Sequence, residues 1–265
     1  MKRTSIFALA LLLFLGAWTA TMAPPAQAAI SNMGDAINKA GRQRMLTQRI
    51  VKTYCLIGQD IKRSDSQKEL KEAIALFDTQ LAELKQFKVN NEVTAGLGDV
   101  EQVWGPFKSM ATASPSVSQA PELRSQGEKV LRAAHEVVLL LQDASGTSSG
   151  RLVNIAGRQR MLSQRMASLY LLKSWGLKKS RYDSDLSQSM SEFKGALAEL
   201  MAADVNSSEI DRGLKKVKTQ FSMFEYSLKT DSGEFIPQTI SKASLKILSV
   251  MNDVTGLYAG IAVGR

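Results

Sequence analysis

One stretch of eleven residues occurs twice in this chain, and it limits the fold more than any other feature. It reads Ala40-Gly41-Arg42-Gln43-Arg44-Met45-Leu46-Thr47-Gln48-Arg49-Ile50, then, 116 residues further on, Ala156-Gly157-Arg158-Gln159-Arg160-Met161-Leu162-Ser163-Gln164-Arg165-Met166. Nine of the eleven positions are identical and two are conservative exchanges, so the chain carries an internal duplication and its two halves must fold alike. At the same offset Asn38 matches Asn154, Tyr54 matches Tyr170, and the stretch from Glu69 to Leu84 matches Asp185 to Leu200, with Phe77 on Phe193. Beyond that the register drifts by one or two residues, as length changes in loops would cause.

The first residues read as a targeting segment and are set aside. Lys2-Arg3, an apolar run from Ile6 to Trp18, and Ala26-Gln27-Ala28 form the pattern of a cleaved signal peptide, so the expected divisions are 1–28, a first copy at 29–147 and a second at 148–265. This predicts a periplasmic or secreted protein. No later run is long and apolar enough to span a membrane.

Composition removes several functions. The chain has 34 Lys and Arg against 25 Asp and Glu, a net charge of +9 that becomes +7 without Lys2 and Arg3. That balance favours anionic partners, but an exported helical chain poor in aromatic residues argues against nucleic acid. Cys55 is the single cysteine and His135 the single histidine. No disulfide or cysteine metal site can form within the chain, and no catalytic constellation or cofactor motif is visible, so the reading is not an enzyme and expects no cofactor. Cys55 matches Leu171 and reads as core. His135 matches Asn252 and reads as a structural polar residue.

Apolar residues recur at threes and fours through each copy, with no strand signal. The expected helices cover about 30–61, 70–90, 92–110 and 122–143, then 151–177, 185–203, 207–230 and 236–263. Gly105-Pro106 should weaken or kink the third, and 113–121 should form a loop. Four long helices per copy with short connections predict an all-α protein of two tandem antiparallel four-helix bundles. Ser145 to Gly150, only Gly, Ser and Thr, should turn rather than continue as helix. That would set the bundles side by side as an intrachain pseudo-dimer with the two motif helices pointing the same way.

On a helical wheel Arg44 shares its line with Ile37, Val51 and Cys55, and Arg160 shares its line with Val153, Ala167 and Leu171. A charge amid apolar neighbours needs a partner. No Asp or Glu lies between Ile37 and Gln59 or between Leu152 and Tyr182, so neither motif helix neutralises its own arginines. The guanidinium fork suits flat oxyanions, which makes Arg44 and Arg160 candidate ligand-binding residues. Arg42, Arg49 and Asn38, with Arg158, Arg165 and Asn154, sit on a second line. For Arg42 and Arg49 a solvated face, or pairing with Glu83, Glu199, Glu136 or Asp253, stands beside the ligand reading.

The run Ile37-Asn38-Lys39-Ala40-Gly41-x-x-Arg44-Met45-x-x-x-Arg49 resembles the P-box of NarX-type nitrate/nitrite sensor kinases. Ala-Gly-Arg-Gln-Arg-Met-Leu-(Ser/Thr)-Gln-Arg resembles the N-terminal domain of PilJ, the type IV pilus chemoreceptor. The resemblance implies a periplasmic four-helix sensor in which Arg44 and Arg160 bind nitrate where first helices meet, with Arg49 and Arg165 in support. Arg42 and Arg158 replace a small polar residue of the nitrate sensors and would suit a more highly charged anion. Neither a kinase nor a methyl-accepting region follows the second copy, so the expected role is an accessory one, reporting to a membrane chemoreceptor or sensor kinase. The same reading leaves room for a homo-oligomer. The alternative is a ligand-free helical scaffold docking such a receptor or a pilus component.

Overall fold

A computed structural model describes residues 29–229 and 235–261; the segment read as a signal peptide lies outside them. The described residues form eight helices and no strand. These are α1 (Met33–Gly58), α2 (Arg63–Gln86), α3 (Asn91–Thr112), α4 (Ala120–Ser145), α5 (Ser148–Ser174), α6 (Ser180–Met201), α7 (Ser208–Lys229) and α8 (Pro237–Ile261). Polar caps set several starts. The side chains of Asn32, Asn90 and Thr147 accept hydrogen bonds from the backbone N–H of Asp35, Val93 and Gly150, satisfying donors that a helix start leaves free.

The expected helices are present, with two informative differences. As expected, α3 runs on through Gly105-Pro106: Pro106 and Gln102 face solvent, where water can take the carbonyl that proline leaves unbonded, while Trp104 and Phe107 anchor the buried side. The loop before α4 is shorter than expected: α4 begins at Ala120, with Pro121 in the first turn, where its missing N–H costs nothing. The joint between copies is narrower than 145–150. Gly146 takes a left-handed conformation (φ 60°), Thr147 caps the next helix, and Ser148 already belongs to α5.

That turn places the copies side by side. In each, the first helix packs on the second and the fourth, and the fourth on the third. The most extensive contact joins the copies: α1 lies along α5. Gly41 faces Gly157, Gln48 accepts a hydrogen bond from Ser168, and the Gln59 side-chain amide donates to the Leu171 carbonyl. Partners rise together in number, so the two helices are parallel.

This packing explains a burial pattern that amphipathicity alone would not give. α1 is surrounded by α2, α4, α5 and α8, and α5 by α1, α4, α6 and α8. Twenty of the 26 residues of α1 are buried, against eight of the 24 in α2. The buried set in α1 includes Asn38, Gln43, Arg44, Thr47, Gln48, Lys52 and Thr53. Two matched tyrosines tie the following loops to these central helices: the Tyr54 hydroxyl accepts from the Ser116 N–H at 3.0 Å, and the Tyr170 hydroxyl from the Ile236 N–H at 2.8 Å. Cys55 is wholly buried in the core, where desolvation raises its thiol pKa.

Candidate functional site

The two arginines singled out by their apolar stripes sit at the centre of the α1–α5 contact. Arg44 is 1% exposed and Arg160 0%. Their flanking glycines allow the two helix backbones to approach. A methyl group placed on Gly41 would lie 3.3 Å from Arg44 Nη2, 3.6 Å from Arg160 Nη2 and 4.0 Å from Gly157 Cα; one on Gly157 meets the same atoms in mirror order. Both guanidinium groups therefore close over the paired glycines.

Each arginine spans the seam in the same way. Arg44 Nη2 donates to the Asn154 carbonyl at 3.3 Å, and Arg160 Nη2 to the Asn38 carbonyl at 3.1 Å. On its other side each turns to the fourth helix of its own copy. Arg44 Nη1 lies 2.9 Å from His135 Nδ1, and Arg160 Nη1 donates to Asn252 Oδ1 at 3.2 Å. Arginine can only donate, so His135 Nδ1 accepts, which fixes a neutral imidazole with its proton on Nε2. His135 is thus a structural acceptor, and the match with Asn252 is chemical as well as positional.

Every one of these partners is neutral. Among the described residues no ion pair joins Arg44 or Arg160 to a carboxylate, and Nε of each has no hydrogen-bond partner. Burial, with Arg158 nearby, lowers the Arg44 pKa to about 9, so the group still carries its charge at neutral pH. Burial, Arg42 and Arg44 push Arg160 well below its ordinary value. His135 falls to about 4, through desolvation first and the charges of Arg44 and Arg158 after it.

The second line of arginines behaves differently. Arg49 pairs with Glu69 at 2.7 Å, Arg158 with Glu192 at 2.7 Å and Arg165 with Glu128 at 3.3 Å. Neighbouring helices do supply acids: for Arg49 it is Glu69 rather than one named from sequence, while Glu83 pairs with Lys39 and Glu199 with Arg151. Arg42 is half-buried within the fields of Asp35 and Glu83, and burial lowers its pKa. Asn38 and Asn154 contribute carbonyls to the partner arginine. The Asn38 side-chain oxygen has no partner, and the Asn154 amide donates to Gln142.

Several polar residues at the centre had no role in the sequence reading. Lys52 is fully buried 2.8 Å from Glu69, and desolvation lowers its pKa to about 8 despite that carboxylate. The Gln159 amide donates to the Phe193 carbonyl and the Gln164 amide to the Ser244 carbonyl, both inside copy two. The identity of both glutamines in the two motifs was the available signal. Arg44 also reaches a cleft of about 220 Å³, bordered by α4, α5 and α6 and lined by His135, Arg158, Arg165, Asp185, Gln188 and Glu192 among others. Lys215, Lys216 and Lys218 form a solvated face of α7. Among the described residues no group of three or more His, Cys, Asp or Glu could hold a metal, and no helix is long and apolar enough to cross a membrane.

Comparison with known proteins agrees with the duplication. Residues 28–130 and 142–239 each match the family model PilJ, described as type IV pili methyl-accepting chemotaxis transducer N-term. No curated protein and no solved structure matches the chain.

Proposed function

The chain belongs to the PilJ family of type IV pili methyl-accepting chemotaxis transducer N-terminal domains, in two copies, and we propose that it is an exported sensory protein for a small oxyanion. The family places the chain in a signalling context. In this reading an anion of the nitrate or nitrite class sits between Arg44 and Arg160 above Gly41 and Gly157, and the occupied protein is presented to a membrane chemoreceptor or sensor kinase.

One observation carries the reading: two buried guanidinium groups close over the same pair of glycines, and among the described residues neither has a carboxylate on it. Like charges held together out of water repel strongly, and an anion between them would relieve both the repulsion and the lost hydration. A planar oxyanion matches the donor fork, and the unpartnered Nε atoms offer further donors. Titration calorimetry of the mature chain with nitrate, nitrite and sulfate tests this. Saturable heat from nitrate or nitrite, lost in Arg44→Ala and in Arg160→Ala, is the expected result. No heat from any of the three anions, with the helical circular dichroism intact, overturns it. N-terminal sequencing of the exported protein tests the proposed export, with Ala29 expected as the first residue.

The reciprocal bonds from Arg44 to Asn154 and from Arg160 to Asn38 favour a second reading, in which the arginines lock the copies together and the bundle surface serves as a docking scaffold. Under that reading the same alanine variants lose stability equally in every salt.

A further inference from the structure

Away from the seam, the outer flank of copy two carries a surface that copy one lacks. α7 packs on α6 and α8 and turns its remaining side to solvent. On a helical wheel Arg212, Lys215, Lys216, Thr219, Met223 and Tyr226 share that side, and all are exposed. Lys218 stands beside them, and α8 adds exposed Lys242 and Lys246. Among the described residues none of these cations enters an ion pair. The exposed acids of the two helices are Glu209, in the first turn of α7, and Asp253, which α8 holds at the level of Gly213. Both lie toward the end away from Met223 and Tyr226; the sequence joining α7 to α8 adds Asp231 and Glu234.

Large apolar side chains stand in water on the same flank. Met223 is 66% exposed and Tyr226 73%, and Phe235 and Ile236 are exposed where α8 begins, at the end of the bundle that Tyr226 approaches. The duplication provides an internal control. With buried Val100 and Phe107 set on Leu214 and Phe221, Ser109 stands for Met223, Thr112 for Tyr226, Glu101 for Lys215 and Gln102 for Lys216. Ser116, whose N–H meets Tyr54 as that of Ile236 meets Tyr170, stands for Ile236. Among the described residues copy one exposes only Val117 of this kind. The bundle therefore folds without cations or large apolar groups at these positions, and the exposed set in copy two points outward, to a partner surface.

We propose that this flank docks on an anionic lipid bilayer, with Lys215, Lys216 and Lys218 at the headgroups and Met223 and Tyr226 entering the interfacial layer. Lysines interleaved with Met and Tyr on one side of a helix suit a helix lying in a membrane interface. Cations meet acidic headgroups, and a ring with a polar tip settles at the boundary between headgroup and acyl chain. A bilayer answers both needs in one plane. A second copy cannot pair with the flank about a two-fold axis, because the same cations would face one another. The inference is independent of whichever group meets Arg44 and Arg160.

The test is co-flotation of the mature chain with vesicles of phosphatidylcholine alone or of an equimolar mixture with phosphatidylglycerol. Binding should be at least about tenfold stronger to the anionic vesicles and should weaken as salt is raised. Lys215→Gln/Lys216→Gln/Lys218→Gln should weaken it about a hundredfold, at about fivefold per lysine. Met223→Ser/Tyr226→Thr, which installs the residues of copy one, should weaken it about tenfold and keep the salt dependence. Lys62→Gln/Lys68→Gln/Lys71→Gln removes the same charge from exposed positions of α2 and should leave binding nearly unchanged. No vesicle binding, equal binding to both vesicles, or equal weakening by the α2 variant overturns the proposal. In the first case sedimentation velocity without lipid separates the other occupants. Self-association abolished by the α7 lysine variant would assign the flank to a second copy, and a monomer would leave it to an acidic protein.

Discussion

The two copies agree at their seam and diverge around it. Across the seam Arg44 and Arg160 bond each other's helices through the Asn154 and Asn38 carbonyls, above glycines that face one another. One shell outward, His135 answers Arg44 where Asn252 answers Arg160, and Glu69 is matched by Asp185. Parallel packing of like helices imposes equal environments only where the two helices touch each other. The outer helices meet different neighbours and are free to differ.

The comparison can be broken most forcefully in the cores, where the copies should be equal. Phe77 stacks on Trp104 with ring centres 3.8 Å apart, and Phe193 on Phe221 at 4.3 Å; both phenylalanines are fully buried. Phe77→Ala and Phe193→Ala should each cost about 3 to 5 kcal/mol in denaturant unfolding. A large difference between them would mean that the halves do not share one core design.

The next effect should separate the copies. Glu69→Gln leaves Lys52 buried without its carboxylate and should cost about 3 kcal/mol at neutral pH, largely recovered in the Lys52→Met/Glu69→Gln double variant. The matched Asp185→Asn strands Arg124, which is 5% exposed and lies over the Tyr182 ring, 5.2 Å from its centre. That ring retains part of the stabilisation, so the loss should be smaller. Equal losses would remove the distinction drawn between the two acids.

The smallest effect belongs to His135. Its folded pKa of about 4 lies below the ordinary value of 6.5, so between those values the unfolded chain binds a proton that the folded chain does not. Stability should therefore fall as pH drops from about 6.5 to about 4 and gain no further loss from this group below that. His135→Asn, which installs the residue of the other copy, should flatten that part of the Tm against pH curve. An unchanged slope would show that His135 does not accept from Arg44.

Much of the architecture was legible because helix periodicity and duplication are both properties of spacing. The stripe containing Ile37, Arg44, Val51 and Cys55 correctly marked a buried arginine, since a residue cannot leave the face its neighbours share. Pro106 was read as a weak point within α3, and the helix runs on through it with Pro106 and Gln102 facing water. The partners of Arg49, Arg158 and Arg165 were beyond reach: Glu69, Glu192 and Glu128 come from other helices, and their approach depends on rotations that spacing does not encode.

By itself the sequence determined two like sets of four helices, each with a first helix holding an arginine in an apolar line and no acid to neutralise it. Only the tertiary structure decided that these helices touch through Gly41 and Gly157, and that His135 and Asn252, rather than carboxylates, meet the arginines. The physical reason is one of range. Periodicity and local charge act within a helix, whereas the neutral surroundings of Arg44 and Arg160 depend on which side chains the packing of other helices brings within hydrogen-bond distance.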